Sequence, residues 1–374
     1  MASPLNAVRH RAHQLGADLM IRPVTASLIL LGVLALRLPH TVAEGVAQMN
    51  EHEAFELFVA PVGPQNPRNS EAAIIALNDG SLLLGWTEFY AGSGADHGPA
   101  RLSGKISTDG GRTWREQYTL VENDGGCNVM EVNFARLKTG ALALFYCQKN
   151  TEATDCRIMK RTSSDEGRTW GDAVQLSPGG KYTGLTNGRC IRLRTGRLLL
   201  EAWEGGDGYC CLSDDEGETW RDSQRVRPAD GPGYEPACVE LKDGRVMMLM
   251  RTGLGGQYKS LSADGGETWS APVPTPLVGT AAPVAVSRIP TTGDLLAIWN
   301  HNPGAGKRNP LTAAVSSDEG ETWEHFRNLE EAPDDAWAYP AATWVGDRAL
   351  LTYFNYKGGL SLKLRSVPAA WFYE

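Results

Sequence analysis

No CxxC pair occurs among the seven cysteines of this 374-residue chain, so a zinc site has no ligand pattern to rest on. Their odd number leaves at least one thiol free, and buried free cysteines behave as small hydrophobes. Positive charge is scarce. Lys and Arg number 36 against 44 Asp and Glu, a net charge of -8, which argues against a nucleic-acid binder working through a broad basic surface. Beyond about residue 50 no segment shows a sustained 3.6-residue periodicity, so helices should be few, and a polytopic membrane protein is excluded. What is present is a 42% hydrophobic, 21% charged composition that excludes disorder. The 42 Gly, 21 Pro and 11 Trp suggest many turns and repeated Trp plugs.

Residues Val24–Leu36 read VTASLILLGVLAL, short for a membrane span and suited to the apolar region of a signal peptide. Arg22 supplies the preceding positive charge, and Thr41-Val42-Ala43 offers a small-residue cleavage site, so residues 1–43 read as a targeting segment. Met20 is an alternative start, and an uncleaved anchor helix is an alternative fate. Either places the body of the protein outside the cytoplasm, secreted or periplasmic, with no membrane partner beyond that anchor.

The strongest signal is a repeat. Ser-x-Asp-x-Gly-x-Thr-Trp occurs five times, beginning at Ser107, Ser163, Ser213, Ser262 and Ser316, at intervals of 49 to 56 residues. Interleaved with it, Asp79-Gly80, Thr139-Gly140, Thr195-Gly196, Asp243-Gly244 and Thr292-Gly293 each separate two apolar runs, and Val345-Gly346-Asp347 is a sixth, degenerate copy. Apolar runs joined by a Gly-containing turn are β-hairpins. A period near 50 with paired strands marks a β-propeller, and six hairpins predict six four-stranded antiparallel blades in one all-β domain over residues 50–374.

Hairpin geometry sorts the polar residues. Residues before each first strand and after each second strand share one face, and the Gly turns and repeated boxes share the other. The box Asp and Ser are therefore expected to fold turns and the box Trp to pack between blades. The first face collects Arg68, Asn128, Glu131, Asn187, Arg189, Glu235 and Tyr339 before first strands. It collects Glu88, Asp96, Gln148, Lys149, Glu204, Asp207, Arg251, Asn300 and Arg308 after second strands. Arg68, Arg251 and Arg308, on the first, fourth and fifth blades, repel one another unless an anion sits among them. A guanidinium fork matches a carboxylate.

The five boxes and this order of residues resemble the sialidase (neuraminidase) superfamily, across essentially the whole body of the chain. The order Arg68, Asp96, Glu235, Arg251, Arg308, Tyr339 is similar to that superfamily's arginine triad, Asp acid/base, Glu and Tyr nucleophile. The resemblance implies a metal-free, cofactor-free, retaining exo-α-sialidase acting on a sialylated or other acidic glycan. Tyr339 would be the nucleophile, Glu235 its base and Asp96 the acid/base, with His97 an alternative donor. A tyrosine suits a sugar whose anomeric carbon bears a carboxylate, where a carboxylate nucleophile would meet repulsion. The chain departs from the superfamily after the first arginine, where Asn69-Ser70-Glu71 stands in place of Ile-Pro. Glu71 is expected to orient Arg68, and Asn187 and Arg189 to add substrate contacts, which points to a divergent bacterial branch. A lyase or hydrolase on uronic-acid glycans and a non-catalytic sugar-binding propeller are the competing readings.

Overall fold

In the computed structural model, residues 53–304 and 306–374 are described, all within a compact unit that spans Met49–Glu374. The targeting segment read at residues 1–43 lies outside the described residues.

Six antiparallel sheets form the blades. In the first, Arg68–Ala76, Leu82–Phe89, Ala100–Ser107 and Tyr118–Val121 pair in chain order. The second, from Asn128–Arg136 to Val174–Gln175, the fourth, from Tyr234–Glu240 to Val273–Val278, and the fifth, from Ala285–Arg288 to Glu324–Glu330, repeat that order. The sixth is built from Trp337–Val345, Arg348–Asn355 and Leu362–Pro368, and its fourth strand is Phe55–Ala60 from the other end of the chain. This closes the ring with hydrogen bonds between segments about 300 residues apart. The third blade is irregular: its first strand is split into Thr183–Gly184 and Cys190–Arg192, both pairing with Leu198–Glu204. Among the described residues the one helix is a 3-10 turn at Ala369–Tyr373.

Second strands such as Leu82–Phe89 are buried throughout, whereas the outer Val174–Gln175 and Arg221–Asp222 are exposed. The core lies between blades: Leu83 and Leu102 of the first pack with Val132, Phe134 and Leu144 of the second. Trp170 closes that layer, stacked on Phe134 at 6.3 Å between ring centroids.

The two faces separate as expected. Each box begins at the residue paired with the start of its second strand: Leu82 with Ser107, Leu142 with Ser163, Leu198 with Ser213, Val246 with Ser262 and Leu295 with Ser316. Boxes and Gly turns thus share one rim. Within a box the Ser hydroxyl accepts the Gly amide and donates to the Asp, as in Gly167 N to Ser163 Oγ at 2.9 Å. The Asp accepts the Thr amide and hydroxyl, as at Asp165. Those Thr contacts hold Asp165, Asp215 and Asp318 at about 2, ionised and fully committed to the turn.

A second repeat inside the boxes emerges only in three dimensions. Glu166, Glu216 and Glu319 adopt left-handed backbone (φ 62°, 63° and 62°). Each pairs with the arginine ending its own blade's first strand, Arg136, Arg192 or Arg288. Each also accepts a turn amide of the preceding blade, from Asn78, Lys138 or Lys242. These glutamates rivet neighbouring blades together.

Candidate active site

On the opposite face four first strands carry the same irregularity. The register slips between Ser70 and Ala73, Met130 and Asn133, Tyr234 and Ala237, and Ala338 and Ala341. Inside each slip one residue takes a left-handed φ: Glu71 at 45°, Glu131 at 68°, Glu235 at 48° and Tyr339 at 55°. Such β-bulges cost backbone strain and re-aim a side chain. Here they turn three carboxyls and a phenol toward the centre of the ring, where the innermost strands converge.

Tyr339 donates a hydrogen bond from its hydroxyl to Glu235 Oε1 at 2.7 Å, and Arg251 Nη1 donates to Glu235 Oε2, also at 2.7 Å. The phenol ring is stacked on Phe354, centroids 5.6 Å apart, with the Arg308 guanidinium 5.6 Å from the ring centre. Arg308 Nη1 donates to the Tyr356 hydroxyl at 2.8 Å. Arg68 is buried against Phe89, 4.5 Å from the ring centre, and each of its three side-chain nitrogens donates a hydrogen bond. Nε donates to Ser70 at 2.7 Å, one terminal nitrogen to Glu71, and the other to Asp96 and the Gly94 carbonyl. Arg68, Asp96, Arg251, Arg308 and Tyr339 line one cavity with Phe354 and Tyr356. Arg68, Asp96, Arg251 and Tyr339 also line an adjoining cavity, whose far wall is Glu131, Glu235, Lys149, Tyr182 and Trp203.

The electrostatics follow from this crowding. Partial desolvation opposes ionisation of Asp96, yet the hydrogen bond and charge of Arg68, aided by Lys149, hold its carboxyl below the usual range. Burial likewise works against the charge of Arg68 and Arg251, but their carboxylate partners keep both firmly protonated. Tyr339 is pushed well above the ordinary phenol value by burial and by the negative charge of Glu235, against the pull of Arg251 and Arg308. It therefore stands as a neutral phenol. Burial, with the carboxylates of Glu71 and Glu235 beside it, raises Glu131 well above its ordinary value and favours its neutral form.

Six of the residues singled out in the sequence meet here: Arg68, Asp96, Glu235, Arg251, Arg308 and Tyr339. Glu71 lies behind Arg68, 1% exposed, and accepts from it and from Ser70. Asn187 and Arg189 line neither cavity; their side-chain donors go to backbone carbonyls, Asn187 to Ala72 and Tyr339, Arg189 to Val284 and Pro340. The expected substrate contacts are thus replaced by contacts to main chain. His97 lines neither cavity either. Glu88 and Asp207 pair with Arg101 and Arg227 away from the pocket. Sequence reasoning gave no role to Glu131 and Lys149, although both fall on the right face, and missed Tyr182, Trp203 and Tyr356. Tyr356 directly follows the second strand of the sixth blade, the same position that supplies site residues elsewhere, and that placement could have found it.

Known proteins share this fold. Residues 80–352 match the BNR repeat-like domain family. A curated sialidase from Micromonospora viridifaciens is 26% identical over 341 residues, covering 80% of this chain and 51% of that protein. The chain therefore spans about half the length of that relative. A Hadza microbial sialidase superposes with a TM-score of 0.72 at 20% identity, covering 84% of this chain and 68% of that one. A Trypanosoma rangeli sialidase, solved with 2,3-difluorosialic acid as a covalent intermediate, superposes with a TM-score of 0.66 at 15% identity over 83% of this chain and 59% of that one. At such identities the superpositions show the shared fold alone. The chain belongs to the BNR repeat-like domain family, and its six-bladed propeller has the fold of the sialidases it resembles.

Proposed function

We propose that this protein is a retaining exo-α-sialidase that removes terminal sialic acid, or a closely related carboxylated sugar, from glycans outside the cytoplasm. The observation that carries the reading is the Tyr339–Glu235 hydrogen bond with Arg251 on the second carboxylate oxygen. A neutral phenol against an arginine-held carboxylate is a nucleophile beside its base.

The substrate carboxylate enters among Arg68, Arg251 and Arg308. Glu235 takes the phenolic proton, Tyr339 oxygen bonds to the anomeric carbon, and the glycosidic bond breaks as Asp96 protonates the departing oxygen. In the second step Asp96 takes a proton from water, the water oxygen bonds to the anomeric carbon, and the bond to Tyr339 breaks. Glu235 returns the proton to the phenol. Two inversions leave the configuration retained.

Asp96 is paired with Arg68 and so held as a carboxylate, the wrong form for an acid. A substrate carboxylate taking over that arginine removes the interaction that lowers Asp96, whose affinity for a proton then rises. Substrate binding in this way arms its own acid. The Asp96 side chain is 67% exposed, in a loop with left-handed Gly92 and Gly94, which suits such a displacement.

The test is release of free sialic acid from a mixed panel of sialylated oligosaccharides by wild type and Tyr339→Phe. Release by wild type alone supports the reading. Equal release by both removes Tyr339 from the mechanism, and no release by either moves the substrate to other acidic glycans.

A further inference from the structure

The interrupted first strand of the third blade sends Asn187-Gly188-Arg189 across the ring onto three consecutive residues of the sixth blade. Asn187 Nδ2 donates to the Tyr339 carbonyl at 3.3 Å and to the Ala72 carbonyl, next to Glu71, at 2.7 Å. Arg189 Nη2 donates to the Pro340 carbonyl at 3.3 Å and to Val284 of the fifth blade's approach at 2.6 Å. Gly188, at φ 66°, lies so close to Ala341 that a Cβ there would stand 2.9 Å from the alanine methyl. The segment is tied to the second blade by Gly188 N to Val132 O at 2.9 Å and Arg189 N to Asn133 Oδ1 at 2.5 Å.

Two acceptor carbonyls face one side-chain amide. Only the NH2 end satisfies both, which fixes the orientation of Asn187, leaving its Oδ1 without a partner. Asn187 is fully buried and Arg189 is 4% exposed, and neither reaches the cavity, so their polarity is not spent on solvent or ligand. What they do hold is strained. Tyr339 keeps a left-handed φ of 55°, a conformation a bulky residue adopts only when its surroundings impose it. The carbonyl of that same residue is the one Asn187 grips.

We infer that Asn187 is a positioning residue for Tyr339: its amide, seated on the Tyr339 and Ala72 carbonyls, locks the bulge that aims the phenol at Glu235. Arg189 and Gly188 extend the lock to Pro340 and Ala341. The inference rests on Tyr339 being the reacting group only for its kinetic consequence; the positional claim stands on geometry.

The test compares Asn187→Ala with Thr343→Val. The latter deletes a hydrogen bond of similar kind between the sixth and first blades, Thr343 Oγ1 to Ile74 O at 3.0 Å, away from Tyr339. Both are prepared with 3-fluorotyrosine, and the Tyr339 fluorine resonance is assigned from its loss in Tyr339→Phe. Asn187→Ala is expected to shift or split that resonance and lower kcat by about 100-fold with KM within about threefold, the pattern of a displaced reacting group. Thr343→Val is expected to leave resonance and kcat near wild type, whatever it does to Tm. If Asn187→Ala does not fold, Asn187→Ser, which keeps one donor, takes its place. An unmoved Tyr339 resonance overturns the inference, as does an equal shift in Thr343→Val. If wild type lacks sialidase turnover, the functional reading fails by itself, and the fluorine spectra still decide the positional claim.

Discussion

Tyr339 and Glu235 stand 104 residues apart in the chain, on the sixth and fourth blades, yet share a 2.7 Å hydrogen bond from phenol to carboxylate. Both are bulge residues with left-handed backbone, so their contact is set by two local departures from regular strand geometry. Tyr339→Phe removes the proposed nucleophile and keeps the ring stacked on Phe354. Turnover of a sialoside should fall by on the order of 1,000-fold or more while affinity for a competitive carboxylate inhibitor stays within a few-fold, as checked by kinetics and titration calorimetry.

Arg68 is paired with Asp96, the proposed acid. Asp96→Asn should slow release from natural glycosides by about 100- to 10,000-fold and spare aryl sialosides, whose leaving groups need no proton. Arg68→Met removes the hydrogen bond and charge that lower Asp96. The basic limb of kcat/KM, measured on the free enzyme, should then move to higher pH, alongside a raised KM.

The box glutamates are expected to serve the fold and not the chemistry. Glu166→Ala deletes the bidentate contact to Arg136 and the cap on Asn78 at a partly exposed site. Urea denaturation should show a loss of about 1 kcal/mol after discounting for solvent screening. The value of kcat should not change.

Glu201 gives the fold a pH dependence. It is 1% exposed, and burial lifts its carboxyl from 4.5 to about 8 against the opposing pull of Arg189 and backbone donors. Between those values the folded state binds a proton that the unfolded chain has lost, so this group's contribution falls as pH rises through that window. Glu201→Gln should flatten the decline, measured as the difference in Tm between pH 5 and pH 8.

How much of this was legible in the sequence depended on whether a feature repeats. The Gly turns and boxes recur at a near-constant interval because every blade needs the same two turns, so blade number and the two faces could be read directly. Arg68, Asp96, Glu235, Arg251, Arg308 and Tyr339, singled out from their phase within that repeat and the order they share with sialidases, line the adjoining cavities. The bulges were not visible, because Glu and Tyr at left-handed φ carry no local signature such as glycine would leave. Asn187 and Arg189 were read as substrate contacts because phase gives the face of the ring but not how far across its centre a side chain reaches. Lys149 and Trp203 join the cavity from second strands and Tyr182 from the residue before Thr183–Gly184, and their convergence depends on how adjacent blades pack.

The most direct test of the central claim is to treat the protein with 2,3-difluorosialic acid and locate the adduct by peptide mass spectrometry. The C3 fluorine disfavours the oxocarbenium-like transition state of the second step, so a covalent intermediate should accumulate. The expected result is one sialosyl adduct on Tyr339, absent from Tyr339→Phe. An adduct on another residue, or an unmodified wild type that still releases sialic acid, would contradict a tyrosine nucleophile.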